Sequence, residues 1–104
     1  MSAQLKASTI GTINEHRAIS EFLKKGCVVS KNVEQHGPFD ITVVWPDGKV
    51  ELLDIKTRSI RKRDGYPIHR NLTPTQKKLG VILYYTDDKN KGHYHPPKGF
   101  VKVK

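Results

Sequence analysis

The segment Trp45-Pro46-Asp47-Gly48-Lys49 constrains the fold more than any other part of the sequence. Two stretches rich in Val, Ile and Leu, residues 39–45 and 49–57, lie on either side of it and are typical of β-strands. Proline at the second turn position, followed by glycine where a left-handed residue is needed, is typical of a three-residue hairpin loop closed by a G1 bulge. The sequence therefore predicts a β-hairpin whose register is set by this turn.

The register decides where Asp40 and Asp54 lie relative to each other. With the three-residue loop they stand directly opposite, where side chains have Cβ atoms about 4.5–5.5 Å apart and like charges are destabilising. A divalent cation would neutralise such a pair, and Lys56 would share its face because side chains alternate along a strand. A two-residue turn at Asp47-Gly48 would instead put the aspartates on opposite faces of the hairpin, both solvated. The three-residue loop is the prediction followed here.

An amphipathic helix is predicted from about residue 8 to residue 25, with Gly26 placed to cap its end. Its apolar stripe, spaced i, i+3, i+4, consists of Ile19, Phe22 and Leu23. Glu15 falls on the same face as this stripe. Two interpretations are open. In one, Glu15 is a structural residue that reaches solvent at the rim of the core, near the helix start, where negative charge is favourable. In the other, it belongs to a functional site.

The remaining patterns predict strands at 27–33 and 81–86, a short helix at 72–79 and an edge strand within 93–104. Thr73 is the expected N-cap of the short helix, with Pro74 at its first position. The order helix, three strands, helix, strand predicts a single α/β domain over residues 1–104, with a mixed β-sheet flanked by helices. Cys27 and Tyr84 are expected in the core, and Tyr85 at an interface.

The charge balance indicates a polyanionic partner. Nineteen Lys and Arg residues against ten Asp and Glu give a net charge of +9, and nucleic acid is the first candidate. No apolar run approaches the roughly 20 residues of a membrane span, and the first nine residues lack the apolar core of a secretory signal. We therefore expect a cytoplasmic protein that does not bind membranes. The single cysteine excludes an internal disulfide and a thiolate zinc cluster.

Four motifs follow one another between residues 11 and 57: Gly11-x-x-x-Glu15, Phe22-Leu23-x-x-Gly26, Gly37-Pro38-Phe39-Asp40 and Leu53-Asp54-Ile55-Lys56-Thr57. This ordered set resembles the core of PD-(D/E)XK nucleases, and within them archaeal Holliday-junction resolvases and intron-associated endonucleases. Those relatives more often have Glu at the position of Asp54. The resemblance implies a restriction-endonuclease-like fold and an endodeoxyribonuclease that depends on Mg²⁺ or Mn²⁺, with a centre built from Glu15, Asp40, Asp54 and Lys56.

The residues of this centre suit phosphodiester hydrolysis. Asp40 and Asp54 are the expected metal ligands, with the Ile55 carbonyl as a further candidate, because Mg²⁺ prefers oxygen ligands. Lys56 would orient or help deprotonate the attacking water and stabilise developing negative charge. Glu15 would bind through water or complete a second metal site.

Gln76 has two open interpretations. The resemblance implies a polar residue on a following helix that faces the site, whereas Thr73-x-x-Gln76 also has the spacing of a capping box, in which Gln76 bonds back to the Thr73 amide. The capping box is the better supported of the two from sequence.

Basic residues are concentrated after the Asp-x-Lys motif, with five in the eight positions 56–63. They are interpreted either as a phosphate clamp or as a solvated loop. The expected DNA contacts are Arg58, Arg61, Lys62, Arg63, Lys77 and Lys78, the last two together with the start of the short helix at Thr73. His69, His93 and His95 lack a carboxylate or third ligand at useful spacing, so structural or solvated roles are expected.

The alternative to an endonuclease is a non-catalytic basic module that binds nucleic acid. It would explain the net charge without explaining carboxylates on inward faces. Among endonucleases, a junction or branched-DNA resolvase and a site-specific or nicking enzyme share fold and site, so the resemblance does not separate them. A homodimer is expected, because a junction presents two strands to be cut.

Overall fold

The computed structural model describes residues 5–34, 36–60, 63, 67–68, 70–87 and 92–95. Two helices and seven strands lie in this part of the chain. Their order is α1 (Ala7–Lys24), β1 (Val28–Lys31), β2 (Ile41–Val44), β3 (Val50–Thr57), β4 (Ser59–Ile60), β5 (Pro67–Ile68), α2 (Pro74–Leu79), β6 (Val81–Thr86) and β7 (His93–His95). Each predicted element is present, and the two short strands β4 and β5 are additional. The predicted strand segment 96–104 lies outside the described residues.

Five strands form one mixed sheet in the order β1-β2-β3-β6-β7, while β4 and β5 pair separately. β3 and β6 are parallel, and the other pairs of the large sheet are antiparallel. A parallel pair needs a crossover connection, and here the chain between β3 and β6 includes α2. The predicted α/β fold with a mixed sheet is confirmed.

The β2–β3 hairpin has the predicted three-residue loop. Ile41 pairs with Leu53 and Val44 with Val50. The Gly48 N–H donates to the Trp45 carbonyl at 2.8 Å, and Gly48 has a φ of +91°, the left-handed conformation that glycine adopts without steric penalty. The alternative two-residue turn is therefore excluded, and the register is the one that puts positions 40 and 54 opposite each other.

The core lies between α1 and one face of the large sheet. Its buried members are Ala18, Phe22, Cys27, Ile41, Val43, Leu53 and Tyr84. Phe22 makes an edge contact with Trp45, at a ring-centroid distance of 5.9 Å, and a tilted contact with Tyr84 at 5.0 Å. The predicted burial of Cys27 and Tyr84 is confirmed.

The buried face of α1 differs from the predicted stripe. It consists of Asn14, Ala18 and Phe22, spaced i, i+4, i+8, whereas Leu23 is 54% exposed. The polar member is accommodated because Asn14 donates to the Thr57 hydroxyl at 3.0 Å and accepts from Arg17 at 2.8 Å. Satisfied hydrogen bonds remove the penalty of burying an amide, so the helix can turn this face to the sheet.

The prediction that Tyr85 lies at an interface is wrong. Its side chain is 2% exposed, on the face of the sheet opposite α1. His93 of the neighbouring strand stacks on it at 5.6 Å, and its hydroxyl accepts a hydrogen bond from the Arg70 backbone. No helix among the described residues is both long and apolar enough to span a bilayer.

Candidate active site

Asp40 and Asp54 meet at the edge of the β2–β3 hairpin. Their carboxyl groups are close enough for Asp54 to raise the pKa of Asp40. The backbone around Asp40 is tied to β3, because its N–H donates to the Leu53 carbonyl at 2.8 Å and its Oδ2 accepts from the Ile55 N–H at 2.7 Å. The turn at residues 46–48 thus places two carboxylates on one face, as the register predicts.

The pKa of Asp40 is raised from 3.8 to about 6, chiefly by burial and next by the neighbouring Asp54 carboxyl. The backbone N–H of Ile55 acts in the opposite direction, while the charges of Asp54 and Glu15 again raise the pKa. Nearby negative charge and burial both disfavour the ionised form of Asp40, and a divalent cation bound here would favour it.

The side chains of Lys56 and Gln76 both contact the Asp54 carboxylate. The Lys56 ammonium lies 3.4 Å from Asp54 Oδ2. Gln76 donates from Nε2 to the same oxygen at 2.8 Å and to the Pro38 carbonyl at 2.8 Å. The site therefore joins β3, α2 and the segment that precedes β2.

Gln76 satisfies both interpretations of its role. Its Oε1 accepts from the Thr73 N–H at 3.0 Å, and its own N–H donates to the Thr73 hydroxyl, which completes the predicted capping box. The Nε2 atom of the same side-chain amide donates a hydrogen bond to Asp54 Oδ2. An amide has both donor and acceptor atoms, so one side chain can cap the helix and face the site.

Glu15 lies near the aspartates without joining them. Its charge raises the pKa of Asp40, yet its Oε1 lies 3.2 Å from the Lys31 ammonium on β1. Within the ranges that the structure describes, no three His, Cys, Asp or Glu side chains are grouped to hold a metal ion. Glu15 therefore pairs with Lys31 in this structure, and its expected role in the metal site stays a prediction.

Asn32 holds Asp40 in place, a role that the sequence did not reveal. Its N–H donates to the Asp40 carbonyl and its Nδ2 to the Phe39 carbonyl, both at 2.8 Å. A Cβ at Gly37 would lie 2.6 Å from Asn32 Nδ2, so glycine leaves the space that this amide occupies. The Gly37-Pro38-Phe39-Asp40 motif thus has a packing reason for its glycine. β1 ends at Lys31, before the predicted residue 33, and the Asn32 N–H bond to Asp40 continues its register with β2 by one more position.

An open pocket of about 450 Å³ adjoins the site, and its wall includes residues that sequence reasoning missed. It is lined by Asp54, Lys56, Arg70, Asn71, Thr73, Gln76 and Leu83. Arg70 and Asn71 belong to the segment between β5 and α2, which has no regular structure and carried no motif. Only the tertiary fold brings this segment over β3.

The basic residues expected to contact DNA differ in their exposure. Arg58 follows β3 directly, with its N–H donating to the Thr86 carbonyl, and its Nε is buried without a hydrogen-bond partner among the described residues. Arg63, Lys77 and Lys78 are exposed. Arg61 and Lys62 lie outside the described residues, as does His69, so their expected roles stay predictions. His93 and His95 instead contact the Tyr85 ring, a structural role.

Comparison with known proteins identifies the fold and no more. No protein-family model matches the chain, and no curated protein matches it. Among solved structures, the chain is similar to a bacterial homing endonuclease, I-Ssp6803I, with a TM-score of 0.69 and 16% sequence identity. The match covers 86% of this chain and 68% of that one. At this level of identity the likeness is one of architecture.

Proposed function

We propose that this protein is an endonuclease that hydrolyses DNA phosphodiester bonds with Mg²⁺ or Mn²⁺, in the manner of PD-(D/E)XK nucleases. The observation that carries the proposal is that Asp40 and Asp54 face each other across the hairpin, with the Lys56 ammonium 3.4 Å from Asp54, beside an open pocket. The fold supports it, because the similar structure is described as a homing endonuclease. The net charge of +9 suits a polyanionic substrate.

The two aspartates fit a hard divalent cation. Their carboxylates are close enough for the charge of Asp54 to raise the pKa of Asp40, so a cation would relieve their repulsion when both are ionised. The N–H and C=O of a residue in an extended strand point to the same side, so the Ile55 carbonyl is directed to the edge where its N–H meets Asp40. Asp40, Asp54 and this carbonyl would hold the ion, and Glu15 would act through water. A bound Mg²⁺ would lower the pKa of water and offset charge on the phosphate.

Lys56 would act on the reacting atoms. In hydrolysis the oxygen of water bonds to phosphorus, the bond from phosphorus to one ester oxygen breaks, and that oxygen takes a proton. The Lys56 ammonium can orient the water and stabilise the negative charge that develops on the phosphate oxygens. Gln76 positions Asp54 through its 2.8 Å hydrogen bond and, being tied to the cap of α2, cannot swing freely.

DNA would be held by basic groups around this site. Arg58 is the nearest in sequence to Lys56, and its buried Nε without a hydrogen-bond partner can become a donor to phosphate. Arg61, Lys62, Arg63, Lys77 and Lys78 would add contacts that position the substrate without reading its sequence. Selectivity for junctions or branched DNA, and the homodimer it would require, are parts of the same proposal.

A cleavage panel tests the proposal. Duplex, nicked, flapped, four-way and single-stranded DNA, together with RNA, are incubated with Mg²⁺ or Mn²⁺ and, in parallel, with EDTA. We expect cleavage of at least one DNA substrate with metal and none with EDTA. Binding without cleavage of any substrate would favour the alternative, a basic module that binds nucleic acid.

A further inference from the structure

The segment Arg70–Thr73 forms a fixed wall of the pocket beside Asp54 and Lys56. It is anchored at its start, where the Arg70 N–H donates to the buried Tyr85 hydroxyl at 2.6 Å. It is anchored at its end by the capping box of Thr73 and Gln76. Because both anchors lie in packed structure, the wall has a defined position relative to β3.

The Tyr85 anchor is itself held firmly. Its ring is 2% exposed and stacked on His93 with an interplanar angle of 17°, and His95 contacts it edge-on at 6.1 Å. Tyr85 pairs in register with Lys56, and Leu83 with Asp54, so these side chains share one face of the sheet. The position of Arg70 is thus fixed against the same face that carries the site.

The chemistry of the pocket suits one nucleotide. Its volume of about 450 Å³ lies within the roughly 300–1,000 Å³ of sites for small molecules, so it can accept one nucleotide but not a duplex. The Arg70 side chain has no hydrogen bond or ion pair within the described residues and can bind a phosphate in bidentate fashion. Asn71 offers an amide donor and acceptor, and Leu83 gives an apolar surface.

We propose that this pocket is a subsite for the nucleotide next to the scissile phosphodiester, with Arg70 binding its phosphate and Asn71 contacting its sugar or base. The inference rests on the proposed function, since it takes Asp54 and Lys56 as the cleavage centre. It adds a substrate contact from the segment that leads into α2. A substrate that ends before this nucleotide would lose the contact.

The test is an NMR titration with thymidine 3′,5′-bisphosphate, without divalent cation so that no bond is cleaved. Thymidine and inorganic phosphate are titrated in parallel. We expect the bisphosphate to shift the amide signals of Arg70, Asn71 and Lys56 and to bind more tightly than either fragment. Arg70→Ala should weaken its binding by roughly tenfold, because a charge-assisted hydrogen-bond pair is lost. The affinity of Arg70→Lys for the bisphosphate should lie between those of the wild type and Arg70→Ala. Lysine keeps the positive charge but lacks the planar guanidinium group that binds phosphate in bidentate fashion.

Lys24→Ala is the matched control, because it removes one exposed positive charge from the last turn of α1. It should leave the affinity for the bisphosphate unchanged. Equal affinity of Arg70→Ala and wild type would overturn the proposal, as would binding of inorganic phosphate as tightly as the bisphosphate. The titration does not read cleavage, so an inactive protein that binds the nucleotide here would contradict the proposed function and leave the subsite standing.

Discussion

Asp40 is the proposed metal ligand whose proton affinity differs most from that of a free carboxyl. Its carboxyl is half-buried beside Asp54 and accepts from the Ile55 N–H, and its pKa is raised to about 6. A raised carboxyl pKa means that the folded state binds the proton more tightly than the unfolded state does. The stabilisation from this group is therefore fully present below the ordinary pKa of 3.8 and is lost as pH rises through about 6.

Metal binding should show the opposite pH dependence, because the cation replaces the proton on Asp40. We expect Mn²⁺ or Mg²⁺ to raise the melting temperature clearly at pH 7.5 and much less at pH 5, with apparent affinity falling by up to about tenfold per pH unit below 6. Thermal unfolding with and without metal measures this. In Asp40→Asn the metal-induced rise should be absent at both pH values. An equal rise at pH 5 and pH 7.5 in the wild type would show that Asp40 does not exchange its proton for the ion.

At the scale of elements, the β2–β3 hairpin connects a local rule to the site. The three-residue loop sets the register, and the register puts the aspartates on one face. Gly48 is the residue on which the loop conformation depends, with its φ of +91°.

Gly48→Ala tests this dependence. A Cβ at Gly48 would meet no atom within 4 Å, so the change acts on the backbone alone and should destabilise the fold by about 1–2 kcal/mol. Chemical denaturation measures that loss. Gly80→Ala is the matched control. Gly80 also has a positive φ, +75°, and a Cβ there would also meet no atom within 4 Å, but Gly80 caps α2 and lies outside the hairpin. Both variants should keep the metal-induced rise in melting temperature, since neither changes loop length. Stability unchanged in Gly48→Ala would contradict the strained-turn explanation.

Elements governed by local chemistry could be predicted, and contacts made by distant segments could not. The turn at 46–48, the strand alternation of Asp54 and Lys56 and the cap of α2 follow from neighbouring residues. The pocket wall at Arg70 depends on Tyr85 from another strand, which no local pattern reveals. Asn14 was missed for the same reason, because its burial depends on Thr57, 43 residues away. Glu15 lay on the expected face, but its pairing with Lys31 depends on the tertiary position of β1.

For the whole molecule, the central question is which of the two proposed functions holds, an endonuclease or a module that only binds nucleic acid. The net charge of +9 is compatible with both. A binding module has no use for the facing carboxylates of Asp40 and Asp54, because they repel phosphate. A nuclease needs them to hold the metal ion, and this difference makes the two functions separable by experiment.

The most direct measurement is the single-turnover cleavage rate of Asp54→Asn and Lys56→Ala with Mn²⁺ or Mg²⁺, together with the DNA affinity of each variant in Ca²⁺. These groups act on the transition state, so we expect the rate to fall by roughly a hundredfold or more while the Kd for DNA changes only a few-fold. Lys24→Ala, which removes a charge on α1 away from the site, should cleave at the wild-type rate. Cleavage by both variants at the wild-type rate, or undiminished wild-type cleavage in EDTA, would contradict a metal centre at Asp40 and Asp54.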